Sequence, residues 1–109
     1  MARLLSIDDL PGERASRFEG ADHGAAMSFY LSRHPPGSGP DLHRHPYEET
    51  FIVEEGRATF TVDGETIEAE PGHILVVPAG AAHRFVSSGD RPLRQVSIHP
   101  RDRMVQEPA

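Results

Sequence analysis

Residues 36–56 read PGSGPDLHRHPYEETFIVEEG. Pro36, Gly37, Gly39 and Pro40 forbid a regular element at the start, so a stiff loop delivers the chain to His43. From there the backbone reads as extended, and side chains alternate. His43 and His45 point to one face and Arg44 to the other. Glu49 keeps the histidine parity beyond the Pro46-Tyr47 bend, whereas Glu48 has the opposite one. Phe51 and Val53 continue the parity of Glu49 and are expected inside the domain beside it. Two imidazoles and a carboxylate therefore converge from what reads as one strand pair.

A second stretch, residues 71–85, reads PGHILVVPAGAAHRF. It presents His83 just after the Pro78-Ala79-Gly80 turn, and His83 is expected to enter from a facing strand as a fourth donor. Three nitrogens and one carboxylate oxygen suit a divalent transition metal. Iron, manganese, cobalt, nickel, copper and zinc all accept that set, and two octahedral positions would stay open for water, substrate or dioxygen.

The rest of the chain reads as short strands and turns, punctuated by ten glycines and ten prolines with almost no helical periodicity. Residues 4–10 form a strand or a single turn, and 14–18 a short strand. Residues 26–34 alternate, with Met27, Phe29 and Leu31 on one side and Ser28, Tyr30 and Ser32 on the other. The clearest hairpin joins 57–62 to 65–69 through Asp63-Gly64, a pair suited to a type I′ turn. That register opposes Val62 to Glu65, Thr61 to Thr66 and Phe60 to Ile67. Residues 74–77 are apolar on both faces and are expected to be covered twice, by the barrel interior and by a neighbouring layer or subunit. Strands over 83–86 and 93–98 complete eight to ten strands, an all-β set whose natural architecture is a closed or flattened antiparallel barrel. The polar end, residues 101–109, is expected to fray as a flexible tail.

The two stretches together resemble the cupins. The first cupin motif runs glycine, five residues, HxH, three or four residues, glutamate, six residues, glycine; Gly37, His43, His45, Glu49 and Gly56 fill it. The second runs glycine, five residues, PxG, two residues, histidine, three residues, asparagine; Gly72, Pro78, Gly80 and His83 fill it, and Ser87 stands in the asparagine position. Fifteen residues separate the motifs, as in small bacterial members, and the motif core spans residues 37–87 of a single cupin domain over residues 1–109. The resemblance implies a double-stranded β-helix, or jelly roll, with His43, His45, Glu49 and His83 as metal ligands.

Composition narrows the function classes. A chain of 109 residues is one domain that can bury roughly 60–70% of its unfolded surface. Lys plus Arg number 11 against 17 Asp plus Glu, a net charge of −6 that argues against a nucleic-acid partner. Zero cysteines rules out disulfides, thiolate ligands and cysteine nucleophiles. MARLLSIDDL lacks the apolar stretch of a secretory signal, and no apolar run is long enough for a membrane helix; a cytoplasmic protein with no membrane partner is expected.

The expected activity is that of a metal-dependent enzyme, dioxygenase- or isomerase/lyase-like, on a small organic molecule. A non-catalytic module that binds or senses a small ligand is the alternative. Phe51, Val53 and either Met27 or Phe29 would wall the pocket. Tyr30 and His34 read as surface residues first and as hydrogen-bond donors to a bound ligand second, His99 as lying near the barrel mouth, and His23 and His73 as uninvolved. Residues 74–77 favour a homodimer.

Overall fold

The computed structural model describes residues 2–109. Ten strands occur among them: β1 (Ala15–Phe18), β2 (Ser28–His34), β3 (His43–Arg44), β4 (Glu49–Glu55), β5 (Ala58–Val62), β6 (Glu65–Ala69), β7 (Ile74–Val77), β8 (His83–Ser87), β9 (Leu93–His99) and β10 (Glu107–Pro108). No α-helix is found among the described residues. The 4–10 stretch takes the turn alternative, a 3-10 turn at Ile7–Asp9 opened by Ser6, whose Oγ accepts from the Asp8 N–H at 3.3 Å.

The strands form two five-stranded antiparallel sheets, ordered β1-β2-β9-β4-β7 and β10-β3-β8-β5-β6, named here for their central strands the β9 sheet and the β8 sheet. From β2 onward the chain crosses between sheets at nearly every turn, staying in one only for the β5–β6 hairpin. This is the expected all-β jelly-roll barrel. The hairpin has the predicted register, with Val62 opposite Glu65, Thr61 opposite Thr66 and Phe60 opposite Ile67. Its turn carries positive φ at both Asp63 (47°) and Gly64 (82°), as a type I′ turn demands. Gly56, which closes the first motif, turns at φ +80° against the start of β9. A Cβ there would come within 2.6 Å of the Pro92 carbonyl oxygen, so only glycine fits.

The β8 sheet obeys the usual partition. Ala58, Phe60, Ala69 and Phe85 face inward and are buried, while Thr59, Thr61, Glu68 and Arg84 face out. Phe51 from the opposite sheet meets Phe60 and Phe85 with ring centroids 4.9 and 5.8 Å apart, and Val53, Val77 and Leu93 complete that end of the core.

The β9 sheet inverts the partition. Ser28, Ser32, His34, Glu49, Gln95, Ser97 and His99 are buried on its inner face. Two apolar rows cross its outer face in register: Leu31–Val96–Ile52–Ile74, and Phe18–Phe29–Ile98–Thr50–Val76, interrupted only by Thr50. This corrects the reading of β2, whose serine, tyrosine and histidine side is the interior; Met27 is 43% exposed and does not wall a pocket. On β7, Val77 is buried while Ile74 and Val76 are 67% and 57% exposed, so the barrel interior covers one face and no layer of this chain covers the other.

The C-terminal segment, expected to be free, lies along the barrel instead. Glu107 and Pro108 pair with Arg44 and His43. The Ser28 hydroxyl donates to the Arg101 carbonyl at 2.7 Å, and the Met104 N–H donates to Glu19 at 3.0 Å. Arg103 pairs with Asp22 at 2.6 Å. Polar composition misled here because the segment is fastened through hydrogen bonds to distant parts of the chain, which apolar patterning does not register.

Candidate metal centre

The two sheets share the site. His43 ends the loop from Pro36 and opens β3, and His45 follows β3 directly. His83 opens β8 and sits opposite His43 in the register. Glu49 opens β4 in the other sheet. The residue facing the rest is therefore Glu49; His83 is a neighbour of the histidine pair, not its opposite. Glu48 is exposed and Glu49 is 3% exposed, in line with the parity argument.

Backbone bonds bind the two motifs together. The Gly80 N–H donates to the His45 carbonyl at 2.8 Å. The Gly37 N–H donates to the Ser87 carbonyl at 2.7 Å, and the Ser87 N–H donates to the Ser38 carbonyl at 2.9 Å. The first position of one motif thus meets the last position of the other through main chain alone, which leaves the Ser87 side chain free to depart from asparagine.

One donor atom from each of His43, His45, Glu49 and His83 lies within 4.8 Å of the other three, and all four residues are buried. Each histidine has its Nδ1 against a backbone carbonyl: His43 on Asp41 at 2.7 Å, His45 on Val105 at 2.6 Å, His83 on Ala81 at 2.8 Å. A carbonyl only accepts, so each Nδ1 carries a proton and each Nε2 is the atom left to meet a metal or, in its place, a proton shared with Glu49. The Nε2 atoms of His45 and His83 both lie 3.0 Å from Glu49 Oε1. Imidazole nitrogens and an anionic oxygen so close are held together by a shared proton or by a cation. Two donors bound at right angles to one ion, at about 2.1 Å each, sit about 3.0 Å apart, so the set fits a transition metal.

The electrostatics agree. Burial alone would raise the Glu49 carboxyl, but hydrogen bonds with His45, His83 and His99 outweigh it and hold it well below the ordinary carboxylate range. Burial lowers His43, keeping its ring neutral. At His45 burial is outweighed by Glu49 and the Val105 carbonyl, and its affinity for a proton is raised.

A cavity of about 200 Å³ opens beside these donors. His43, His45 and Glu49 line it together with Phe51 and Phe85 on an apolar side and Tyr30, Ser32, His34, Ser97 and Gln106 on a polar one. Tyr30 and His34, read from the sequence as surface residues, are thus cavity wall. His73 and His23 lie away from it, the former capping a turn with Glu70 and the latter stacked on Phe18.

Tyr47 escaped sequence reasoning, and His99, expected near the barrel mouth, lies deeper than that, against Glu49. His99 is fully buried, with Nε2 3.1 Å from Glu49 Oε2, and its Nδ1 is hydrogen-bonded to the Tyr47 hydroxyl. A signal was available. The polar faces of β2 and β9 carry serine, tyrosine, glutamine and histidine but no Asp, Glu, Lys or Arg, whereas the solvent faces of this chain are rich in Glu and Arg.

The cupin-domain signature matches residues 30–99, which include all four candidate ligands, Tyr47 and His99. The chain is a cupin. It is 33% identical over 91 residues to an uncharacterised protein of Streptomyces coelicolor, covering 76% of this cupin and 82% of that protein. It is 34% identical over 79 residues to the quercetin 2,3-dioxygenase of Bacillus subtilis, covering 70% of this cupin but 23% of the dioxygenase. An oxalate decarboxylase of B. subtilis superposes with a TM-score of 0.81 at 23% identity, over 94% of this cupin and 30% of that chain. The likeness to the decarboxylase is one of fold, and the cupin spans less than a third of either enzyme.

Proposed function

We propose that His43, His45, Glu49 and His83 hold one divalent transition metal and that this cupin is a metal-dependent enzyme on a small organic molecule, dioxygenase- or isomerase/lyase-like. The carrying observation is the orientation of the three histidines, each locked through Nδ1 to a main-chain carbonyl, with the Nε2 atoms of His45 and His83 3.0 Å from Glu49 Oε1 and His43 within the same cluster. A metal held there would supply Lewis-acid polarisation of substrate oxygens, or a binding position for dioxygen.

The residues of the chain do the rest. Phe51 and Phe85 exclude water from one side of the cavity. Tyr30 keeps its hydroxyl proton, since burial raises its pKa, and burial keeps His34 neutral. The wall beyond the metal ligands thus offers uncharged donors and acceptors. A cavity of about 200 Å³ admits a compact molecule whose chelating oxygens meet the metal and whose remaining polar group meets Tyr30, Ser32 or Ser97. The likeness to a quercetin dioxygenase supports the oxygenase branch. A binding module without turnover uses the same geometry and differs only in outcome.

The outer face of the β9 sheet supports a homodimer, in which a second copy covers the two apolar rows that Ile74 and Val76 leave in water. Light scattering at micromolar concentration should give twice the chain mass, and a monomer would sink that part of the reading.

The test of function is oxygen uptake and product analysis across diketones, catechols and thiol acids with metal-loaded protein. Turnover that disappears in His45→Ala and Glu49→Ala together with the metal supports the enzyme. Metal present with tight ligand binding but no turnover moves the protein to the binding class.

A further inference from the structure

Val105 grips the site from both ends of its backbone. Its carbonyl accepts from the Nδ1–H of His45 at 2.6 Å, and its N–H donates to the Tyr47 hydroxyl oxygen at 3.1 Å. With its oxygen accepting there, Tyr47 has its own proton to give, and the partner in reach is His99 Nδ1. A neutral imidazole that accepts at Nδ1 carries its proton on Nε2. That Nε2 lies 3.1 Å from Glu49 Oε2. The other carboxylate oxygen, Oε1, is the one that faces His45 and His83. Water cannot substitute for these contacts, because Tyr47 is 5% exposed and His99 is 0% exposed. The Arg101 guanidinium, 5.1 Å from the Tyr47 ring centre, covers that ring. Gln106, next along the chain, lines the cavity.

We infer that Tyr47 and His99, anchored by Val105, are positioning residues of the metal centre: they occupy Glu49 Oε2 with a proton so that Glu49 binds metal through Oε1 alone. The C-terminal segment is then a working part of the site, since one residue of it orients both a ligand histidine and the histidine that steadies the ligand carboxylate. His99 is excluded as a ligand in this arrangement, because its inward nitrogen bears the proton. The inference rests on the metal reading above.

The experiment uses full-length protein, Co²⁺ as the probe and four forms: wild type, His99→Leu, His99→Gln and Tyr47→Phe. Affinity is measured by competition with a chromophoric chelator, and ligand geometry by the visible absorption of bound Co²⁺. Circular dichroism of the metal-free proteins reports folding. His99→Leu and Tyr47→Phe should weaken Co²⁺ about 10- to 100-fold and alter the absorption band, as loss of an outer hydrogen bond does. His99→Gln places an amide N–H near the position of Nε2 and should recover most of the affinity and the wild-type band. Wild-type affinity and band in His99→Leu would overturn the inference, as would an equal loss in His99→Gln, which points to packing rather than a donated proton. If His99→Leu does not fold, the other two variants decide. A wild type that takes up no Co²⁺ brings down the metal reading itself, which is visible before any variant is compared.

Discussion

The two sheets of this barrel solve opposite problems. The β8 sheet places Ala58, Phe60 and Phe85 inside and threonine, glutamate and arginine outside, so its alternation reads directly as oil in and water out. The β9 sheet places Phe51, Val53, Val77 and Leu93 inside at one end, but serine, glutamine, histidine and glutamate over the rest of its inner face, with two apolar rows outside. The first sheet gives most of the aromatic core and, at its β3–β8 end, turns His43 and His83 inward. The second adds Glu49 and most of the polar cavity wall, and carries its apolar rows on the outer face. Buried polar groups are expensive unless satisfied, so an inward polar face marks where the chain gives up stability for a site. Gln95 shows the cost plainly: it is 1% exposed, and neither amide atom has a hydrogen-bond partner.

Substitutions on the two inner faces should therefore act by different routes. Phe60→Ala, in the conventional sheet, should lose about 3–5 kcal/mol in urea unfolding. A loss under about 1 kcal/mol would mean that the aromatic cluster does not carry the core.

Acid should find the other sheet first. Glu49 is held well below its ordinary carboxyl pKa of 4.5, so its contribution is complete above that value and is lost as pH falls below it. Metal-free wild type should have a higher thermal midpoint than Glu49→Gln at pH 6, and the gap should narrow steadily as pH falls below 4.5. A constant difference would deny the linkage.

A smaller effect of reversed sign is expected at Gln95. Gln95→Met removes two unpaired buried polar atoms at nearly constant volume and should stabilise the protein by about 1 kcal/mol. Destabilisation by that amount would show that the amide is satisfied in solution and that the inner face is less costly than drawn. The least change in chain stability, within about 0.5 kcal/mol, is expected for Val76→Lys on the outer face. Its effect should appear instead as a halved mass in light scattering. An unchanged dimer would place the interface elsewhere.

Much of this was legible in the sequence, for physical reasons that also explain the omissions. Parity placed His43, His45 and Glu49 on one side and rejected Glu48. Glycine and proline spacing fixed the turn that presents His83, and Asp63-Gly64 set the hairpin register to the residue. Alternation, however, distinguishes two faces without saying which one meets water. The apolar side of residues 26–34, with Met27 or Phe29, therefore reads as a pocket wall, although Ser28, Ser32 and His34 hold that place. The crossing of the chain between sheets has no local signature either, so Glu49 was read as sharing a strand pair with the histidines when it comes from the opposite wall. Tyr47, His99 and Val105 meet across more than 50 residues of sequence through single hydrogen bonds, which no local pattern encodes.

The central claim is that one ion is held between the two sheets by donors from both. Equilibrium dialysis of the metal-free protein against each of Mn²⁺, Fe²⁺, Co²⁺, Ni²⁺, Cu²⁺ and Zn²⁺, followed by elemental analysis, tests it directly when wild type is run beside His83→Ala from the β8 sheet and Glu49→Ala from the β9 sheet. The account predicts about one ion per chain in wild type and loss of most of it in each variant. No uptake by wild type of any of the six ions, or full occupancy in either variant, would contradict it.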